Sequence, residues 1–330
     1  MGPILAKTIL CDIRMNINDN KLEIRKRRVL VLDFRASEAG SLSILQDLHS
    51  EIWKIGDEID WTFMIGRPYL DEKSNIKIHR YPILKKYFIL RLLFEKLLLK
   101  RKIIALKPDL ILNLQNNPTK IRNITQIVYL HLPFILTNIS LTIWRDGFRL
   151  WAYQKILKHA IIRNMTYANK VIVQTNWMKS ELSRFGITTR KIDVIHPKIN
   201  LNVILEAENS IREKEEKKTV FFYPATGFSY KNHRVIINAL KLLSRENLNQ
   251  IEMVFTLNGM ENNYTKALRR ASLKHKLPVK FIGEIDRKVV FQYLDRGTLI
   301  FPSYIESFGL PLLEAKLLNR QIIAADTPLL

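Results

Sequence analysis

Cysteine is nearly missing from this chain: Cys11 stands alone among 330 residues, so no internal disulfide can form. The amino-terminal stretch lacks the short apolar core followed by a small-residue cleavage site that marks an export signal, and the expected location is cytoplasmic. Long unbroken apolar runs are absent too. The two longest, "IIALKPDLILNL" and "IVYLHLPFILTNISLTIW", are interrupted by Lys107, Pro108, Asp109, His131 and Pro133, which predicts no membrane-spanning helix. Acids are in short supply, 31 against 53 Lys and Arg, a net charge of +22. That imbalance sets up a long-range field favouring anionic partners, whether nucleic acid, phosphorylated ligands or acidic lipid headgroups. A merely basic solvated surface gives the same count. There is no zinc-ligand spacing, no RNA-binding aromatic signature and no clustered basic tail, so no nucleic-acid partner is expected. No repeat of fixed period occurs.

What is present is apolar content of 47% on a length that suits two domains. Strand-length apolar runs alternate with longer helical patterns. "RVLVLDF" (28–34), "DWTFMIG", "IKIHRYPI", "PDLILNL", "QIVYLHL", "KVIVQT" and "KIDVIHP" read as strands, with "SLSILQDLHSEIWKIG" and "NWMKSELSRFG" as helices, the latter closed by Gly186. Residues 200–218, "NLNVILEAENSIREKEEKK", switch to dense mixed charge without an apolar period and read as a linker. The alternation then restarts from "TVFFYPA" and runs to "QIIAAD". The fold class that follows is α/β, with two doubly wound, Rossmann-like parallel-sheet domains facing a central cleft. The expected boundaries are an extension at 1–27, a first domain at 28–199, the linker at 200–218 and a second domain at 219–330.

The stretch "SYIESFGLPLLEAK" (303–316) places Glu314 in an otherwise apolar run, eight positions after Glu306. "TLIFPS" is a strand, "YIESFG" its carboxyl-end loop, and Pro311 is expected at the first position of the next helix. Gly309 lets the backbone approach a ligand closely, and amides at the helix start are free for an anion or a sugar hydroxyl. An unpaired carboxylate at Glu314 costs several kcal/mol on the order of any buried charge, so it needs donors. A ribose diol supplies two.

These residues carry a resemblance. "FPSYIESFGLPLLEAKLLNRQIIAADTP" resembles the signature of family 4 retaining glycosyltransferases of the GT-B fold, two glutamates bracketing an FGLP-type loop. The resemblance implies that Glu306 meets hydroxyls of the transferred sugar, that backbone amides of Phe308, Gly309 and Leu310 hold the same ring, and that Glu314 binds the nucleotide ribose. "YPATGFSYKNHRVIINAL" is similar to the family's first nucleotide-domain loop, with Lys231, Asn232 and His233 at its "KN" element. Lys231 is then the electrostatic catalyst, countering charge on the departing diphosphate. Many relatives carry an Arg near the places held here by Ala225 and Thr226; Arg234 or a side chain of the first domain is expected to substitute. "KFIGEIDRKVVFQYLDRGTLIFPS" is similar to the next block, implying base contacts from Gly283, Glu284 and Ile285, although Gly283 reads equally as a strand end.

The first half resembles the family more loosely. "DFRASEAGSLSIL" puts helix-start amides at Gly40 and Ser41, facing phosphate or acceptor, or simply capping a helix. "VYLHLPF" sets His131 at a strand end, implying a catalytic place beside donor sugar and acceptor. Thr175 is expected to cap a helix. The implied reaction is transfer with retained configuration from a nucleoside-diphosphate sugar to a lipid-linked or oligosaccharide acceptor, in bacterial surface polysaccharide or lipopolysaccharide synthesis. It calls for no cofactor and no metal, since no Asp-x-Asp or His/Cys cluster lies in the matching regions.

Residues 84–107, "LKKYFILRLLFEKLLLKRKIIALK", hold eight Lys or Arg and one acid among apolar residues. Such a segment suits an anionic membrane surface on the cytoplasmic side; it also suits a core-packed helix with a lysine-rich outer face. Two other classes stay open. Relatives continue past the equivalent of "ADTPLL", so a truncated, inactive or binding-only homologue is one alternative, and a basic nucleic-acid-binding protein is the remoter one.

Overall fold

The computed structural model describes residues 26–34, 39–54, 56–66, 70–197 and 218–327. The extension at 1–27 and the linker at 200–218 fall, but for their last residues, outside the described residues. The chain divides into two compact units, each described by itself.

The first unit is built on a seven-stranded sheet. Its elements are β1 (Arg27–Asp33), α1 (Ala39–Trp53), β2 (Ile59–Ile65), β3 (Ile76–Arg80), a short helix Pro82–Lys86, α2 (Phe88–Leu97), α3 (Leu99–Leu106), β4 (Leu110–Asn113), β5 (Thr125–Leu130), β6 (Lys170–Val173), α4 (Asn176–Arg184) and β7 (Ile192–Val194). All strand pairs are parallel, in the order β3-β2-β1-β4-β5-β6-β7. The strands are continuous apolar runs because helices cover both faces: Leu30, Leu32 and Met64 face one cluster, Val31, Phe63 and Trp61 the other. Thr175 caps α4 by accepting from the Met178 N–H, and Gly186 closes it at φ +84°.

The second unit carries β8 (Thr219–Tyr223), α5 (His233–Lys241), β9 (Ile251–Phe255), α6 (Asn263–Lys274), β10 (Val279–Phe281), α7 (Arg287–Arg296), β11 (Thr298–Phe301), α8 (Leu310–Leu317) and β12 (Ile322–Ala324). Its sheet is parallel throughout, in the order β10-β9-β8-β11-β12. Helix α5 stops at Lys241 and gives way to a short helix Arg245–Asn249 that Ser244 caps. Pro311 sits second rather than first in α8, because Gly309 at φ +76° forms the cap and leaves Leu310 as the first helical residue.

One segment differs from the linear reading. Pro133–Lys155, expected in the first domain, clusters with the second unit. Its Phe134 meets the Tyr230 ring edge-on at 4.9 Å, and its Asp146 accepts a hydrogen bond from Ser229.

In both sheets the strand order reverses beside the first strand, between β1 and β4 and between β8 and β11. Ligands of open parallel sheets bind at the carboxyl ends of strands at such a point.

Candidate functional site

In the second unit the loops after β8 and β11 flank the reversal point. The β8 loop ends in a tight turn at Ser229–Lys231, then Asn232 takes a left-handed conformation (φ 58°, ψ 33°) and α5 begins. Tyr223 Oη donates to the Lys231 carbonyl at 2.7 Å, and the Tyr304 N–H of the β11 loop donates to the Tyr230 carbonyl at 2.9 Å. The first bond holds the β8 loop to the end of its own strand, and the second fastens the two loops together.

The fastening brings Lys231 and Glu306 into contact. Lys231 Nζ lies 2.5 Å from Glu306 Oε1, with the side chains 16% and 11% exposed. An ion pair this sheltered is strengthened by low dielectric. The ammonium has three protons, of which Glu306 takes one. Beneath it lies half-buried Tyr230, stacked on Phe228 at 5.5 Å, and burial of its hydroxyl followed by the nearby Glu306 charge raises its phenol pKa beyond the usual tyrosine range. Tyr223 is raised for the same two reasons. Both phenols stay neutral at any physiological pH.

Glu314, one turn into α8, is wholly buried. Its Oε1 accepts from Arg287, the first residue of α7, while Oε2 has no hydrogen-bond partner among the described residues. One donor is therefore in place and one acceptor still lacks its own. Arg287 is the residue that reading along the sequence missed. Its only signal was the buried acid itself, which called for a partner, and the sequence gap between the two is 27 residues.

Most of the other expected donor-side residues gather nearby. Gly309 is buried and left-handed, between Phe308 and Leu310, and no side chain caps α8. Thr226 is exposed in the β8 loop, next to a buried Ala225. Gly283 is left-handed at φ +76° with open space where a Cβ would project, Glu284 is exposed, and Ile285 packs partly on the core. Arg234, offered for the missing clamp, instead places its guanidinium 5.7 Å from the Tyr264 ring.

His233 is a surprise of a different kind. It opens α5 fully buried, ringed by Tyr223 at 4.6 Å and Phe255 at 5.0 Å. Among the described residues neither ring nitrogen makes a hydrogen bond of normal geometry, although the Ala225 backbone lies near enough to favour the charged form a little. Burial, then the Lys231 charge, pushes its pKa down to about 3. It is a neutral core residue.

In the first unit buried Asp33 ends β1, and the ends of β4, β5 and β6 carry amides and a histidine. His131 follows β5 and is half-buried; its backbone N–H donates to Asn116 Oδ1 at 2.7 Å, and Asn116 Nδ2 lies 3.3 Å from His131 Nε2. With the amide donating, Nε2 accepts and the ring proton belongs on Nδ1. Asn116 is itself buried and left-handed at φ 65°. Buried Asn113 ends β4 and buried Gln115 follows it, and Gln174 donates to Tyr129 Oη at 2.7 Å. Gly40 and Ser41 occupy the first turn of α1, after β1.

The sequence model of "Glycosyl transferases group 1" matches residues 206–330, and that of "Glycosyltransferase Family 4" matches residues 56–203. No curated protein sequence matches the chain. Among solved structures, Anabaena Alr3699/HepE in complex with UDP and glucose is similar at TM-score 0.61 and 15% identity, over 92% of this chain and 82% of that one. WaaG, a glycosyltransferase involved in lipopolysaccharide biosynthesis, gives TM-score 0.66 at 12% identity, over 90% and 80%. A UDP-forming α,α-trehalose-phosphate synthase from Burkholderia vietnamiensis gives 0.61 at 11%, over 92% and 85%.

Proposed function

Since the chain belongs to the family 4 glycosyltransferases, we propose that it transfers a sugar, with retained anomeric configuration, from a nucleoside-diphosphate sugar to a lipid-linked or saccharide acceptor. The observation that carries this reading is the Lys231–Glu306 pair at the β8/β11 reversal point, with buried Glu314 in the same loop-and-helix segment. Glu306 keeps Oε2 for the sugar hydroxyls while Lys231 holds Oε1. The two remaining ammonium protons of Lys231 serve the diphosphate oxygens. The bond from the anomeric carbon to the diphosphate oxygen breaks as its electrons pass to the leaving group, whose growing charge Lys231 counters. The acceptor hydroxyl attacks the same face of the sugar and its proton goes to the departing phosphate. Glu314 Oε2 takes a ribose hydroxyl, with Arg287 fixing the carboxylate. His131, oriented by Asn116, lines the acceptor side. No cofactor or metal enters this scheme.

The pathway reading is surface polysaccharide or lipopolysaccharide synthesis at the cytoplasmic face of a membrane, and the neighbour WaaG supports it. Among the described residues no helix is long and apolar enough to cross a membrane. The segment 84–107 folds as a broken series of helices with two apolar sides. Leu84, Phe94, Leu99 and Ile103 pack inward, whereas Ile89 and Leu97 are 71% and 60% exposed among lysines. A patch of this kind marks an interaction surface, and a leaflet carrying anionic lipid fits its chemistry. Co-sedimentation with liposomes should rise with anionic lipid content; indifference to that content removes the membrane part. The transfer reading is tested by thermal melting with a panel of sugar nucleotides, followed by product analysis with the stabilising donor. If no donor both stabilises the protein and yields a glycosylated product, the reading fails.

A further inference from the structure

The first sheet has a second edge, at the amino ends of its strands, and a cavity of about 800 Å³ opens there. It is bounded by the start of β1, the residues leading into β4, and the loop that precedes β5. His131 follows β5, so the six residues of that strand separate it from this edge by roughly 20 Å at about 3.3 Å per residue. The cavity is distinct from the carboxyl-edge site.

Its lining is strongly cationic. Arg28, Lys100, Lys107, Lys120 and Arg122 surround it with Asp109 as the acid. Asp109 is already engaged, accepting from the Arg28 backbone N–H at 2.8 Å. Among the described residues, none of Lys100, Lys107, Lys120 and Arg122 forms an ion pair. Lys107, left-handed at the end of α3, is explained by the carbonyls of that helix end. The others have no such account: Lys100 lies in the first turn of α3, and Lys120 and Arg122 lie in a loop. Arg122 is steadied over the Tyr167 ring at 5.2 Å. The buried Arg28 Nε–H has no acceptor among the described residues, a costly arrangement that an anion would relieve. The volume suits a small molecule rather than an extended polymer.

We propose that this hollow binds a ligand carrying two or more clustered phosphates, separately from the sugar-nucleotide site. Such phosphates come either from a free oligophosphate or from lipid headgroups. The test uses the full chain and inorganic tripolyphosphate, followed by calorimetry, together with flotation on phosphatidylglycerol vesicles. Two variants are compared: Lys120→Glu/Arg122→Glu in the hollow, and Lys241→Glu/Lys274→Glu as an exposed, charge-matched control on the second unit. The hollow reversal should weaken tripolyphosphate binding by about tenfold or more, while the control reversal leaves it within about twofold. Circular dichroism checks folding, and Lys100→Glu/Lys120→Glu replaces the hollow variant if that one fails to fold. If tripolyphosphate does not bind but vesicles do, and the hollow reversal releases the vesicles more than the control does, the phosphates are those of headgroups. Equal effects of hollow and control reversals on both probes, or no binding of either probe, overturn the proposal.

Discussion

The carboxyl edges of the two sheets have the same topology and different chemistry. In the second unit Lys231 and Glu306 pair across the loops at the reversal point, and Arg287 of α7 pairs with Glu314 of α8. In the first unit buried Asp33 ends β1, and the ends of β4, β5 and β6 carry buried amides around His131. Charge placed in advance is what a site needs in order to hold a diphosphate and a sugar while charge moves between them. An amide-rich, well-bonded edge suits the positioning of an uncharged hydroxyl. The comparison teaches that a shared parallel sheet supplies only the location, and that the side chains of its loops divide the work.

Breaking the charged edge should have the largest effect. Lys231→Ala and Glu306→Gln should each lower kcat by about 100- to 1,000-fold, the loss typical of one preorganised electrostatic group. Full turnover in both variants would remove the roles assigned to them. Arg287→Ala comes next. It strips the partner from a wholly buried carboxylate, and because Arg287 is 51% exposed the loss is put at about 2 kcal/mol, below the range for fully buried pairs. Denaturant melts should show that loss, and Glu314→Gln in the same chain should restore most of it. If the single variant is as stable as the parent, the pair does not hold Glu314.

A smaller effect separates the core of the second unit from its site. His233 titrates near 3 when folded, against an ordinary 6.5. Between those values the unfolded chain binds a proton that the folded one refuses, so stability falls as pH drops through that window. At pH 5.5 this one group should cost on the order of 1 kcal/mol. His233→Phe should flatten that part of the stability profile; an unchanged slope would contradict it. The mildest change is expected on the amide edge. Asn116→Gly, which tolerates the left-handed backbone, should reduce kcat about fivefold by freeing His131 while leaving donor affinity as it was. A matching loss of donor affinity would mean that the two edges do not divide the work in this way.

The sequence discloses what is local. Strands appear as continuous apolar runs because both sheet faces are covered, and Glu306, Gly309 and Glu314 lie within a single strand-loop-helix segment, so their spacing alone places them. Thr175 and Gly186 are legible for the same reason, since caps act within a turn. Contacts between elements are different. Arg287 reaches Glu314 only because α7 and α8 follow β10 and β11 on the same sheet, and Asn116 meets His131 because β4 and β5 are neighbours. Sheet order is not written in any short stretch. The return of Pro133–Lys155 to the second unit was hidden likewise, because a linear cut at the charged linker cannot show a chain that visits the second unit before reaching it. The Lys231–Glu306 contact had only half a signal: each residue could be named from its own loop, but their bonding to one another could not.

The account stands most directly on one comparison of melting temperatures. With a panel of sugar nucleotides, the parent chain should melt higher in the presence of at least one donor, and Glu314→Gln should lose most of that rise while melting normally without ligand. A parent chain indifferent to every sugar nucleotide, or a Glu314→Gln variant stabilised to the same extent, would contradict the claim that this segment holds a nucleoside-diphosphate sugar.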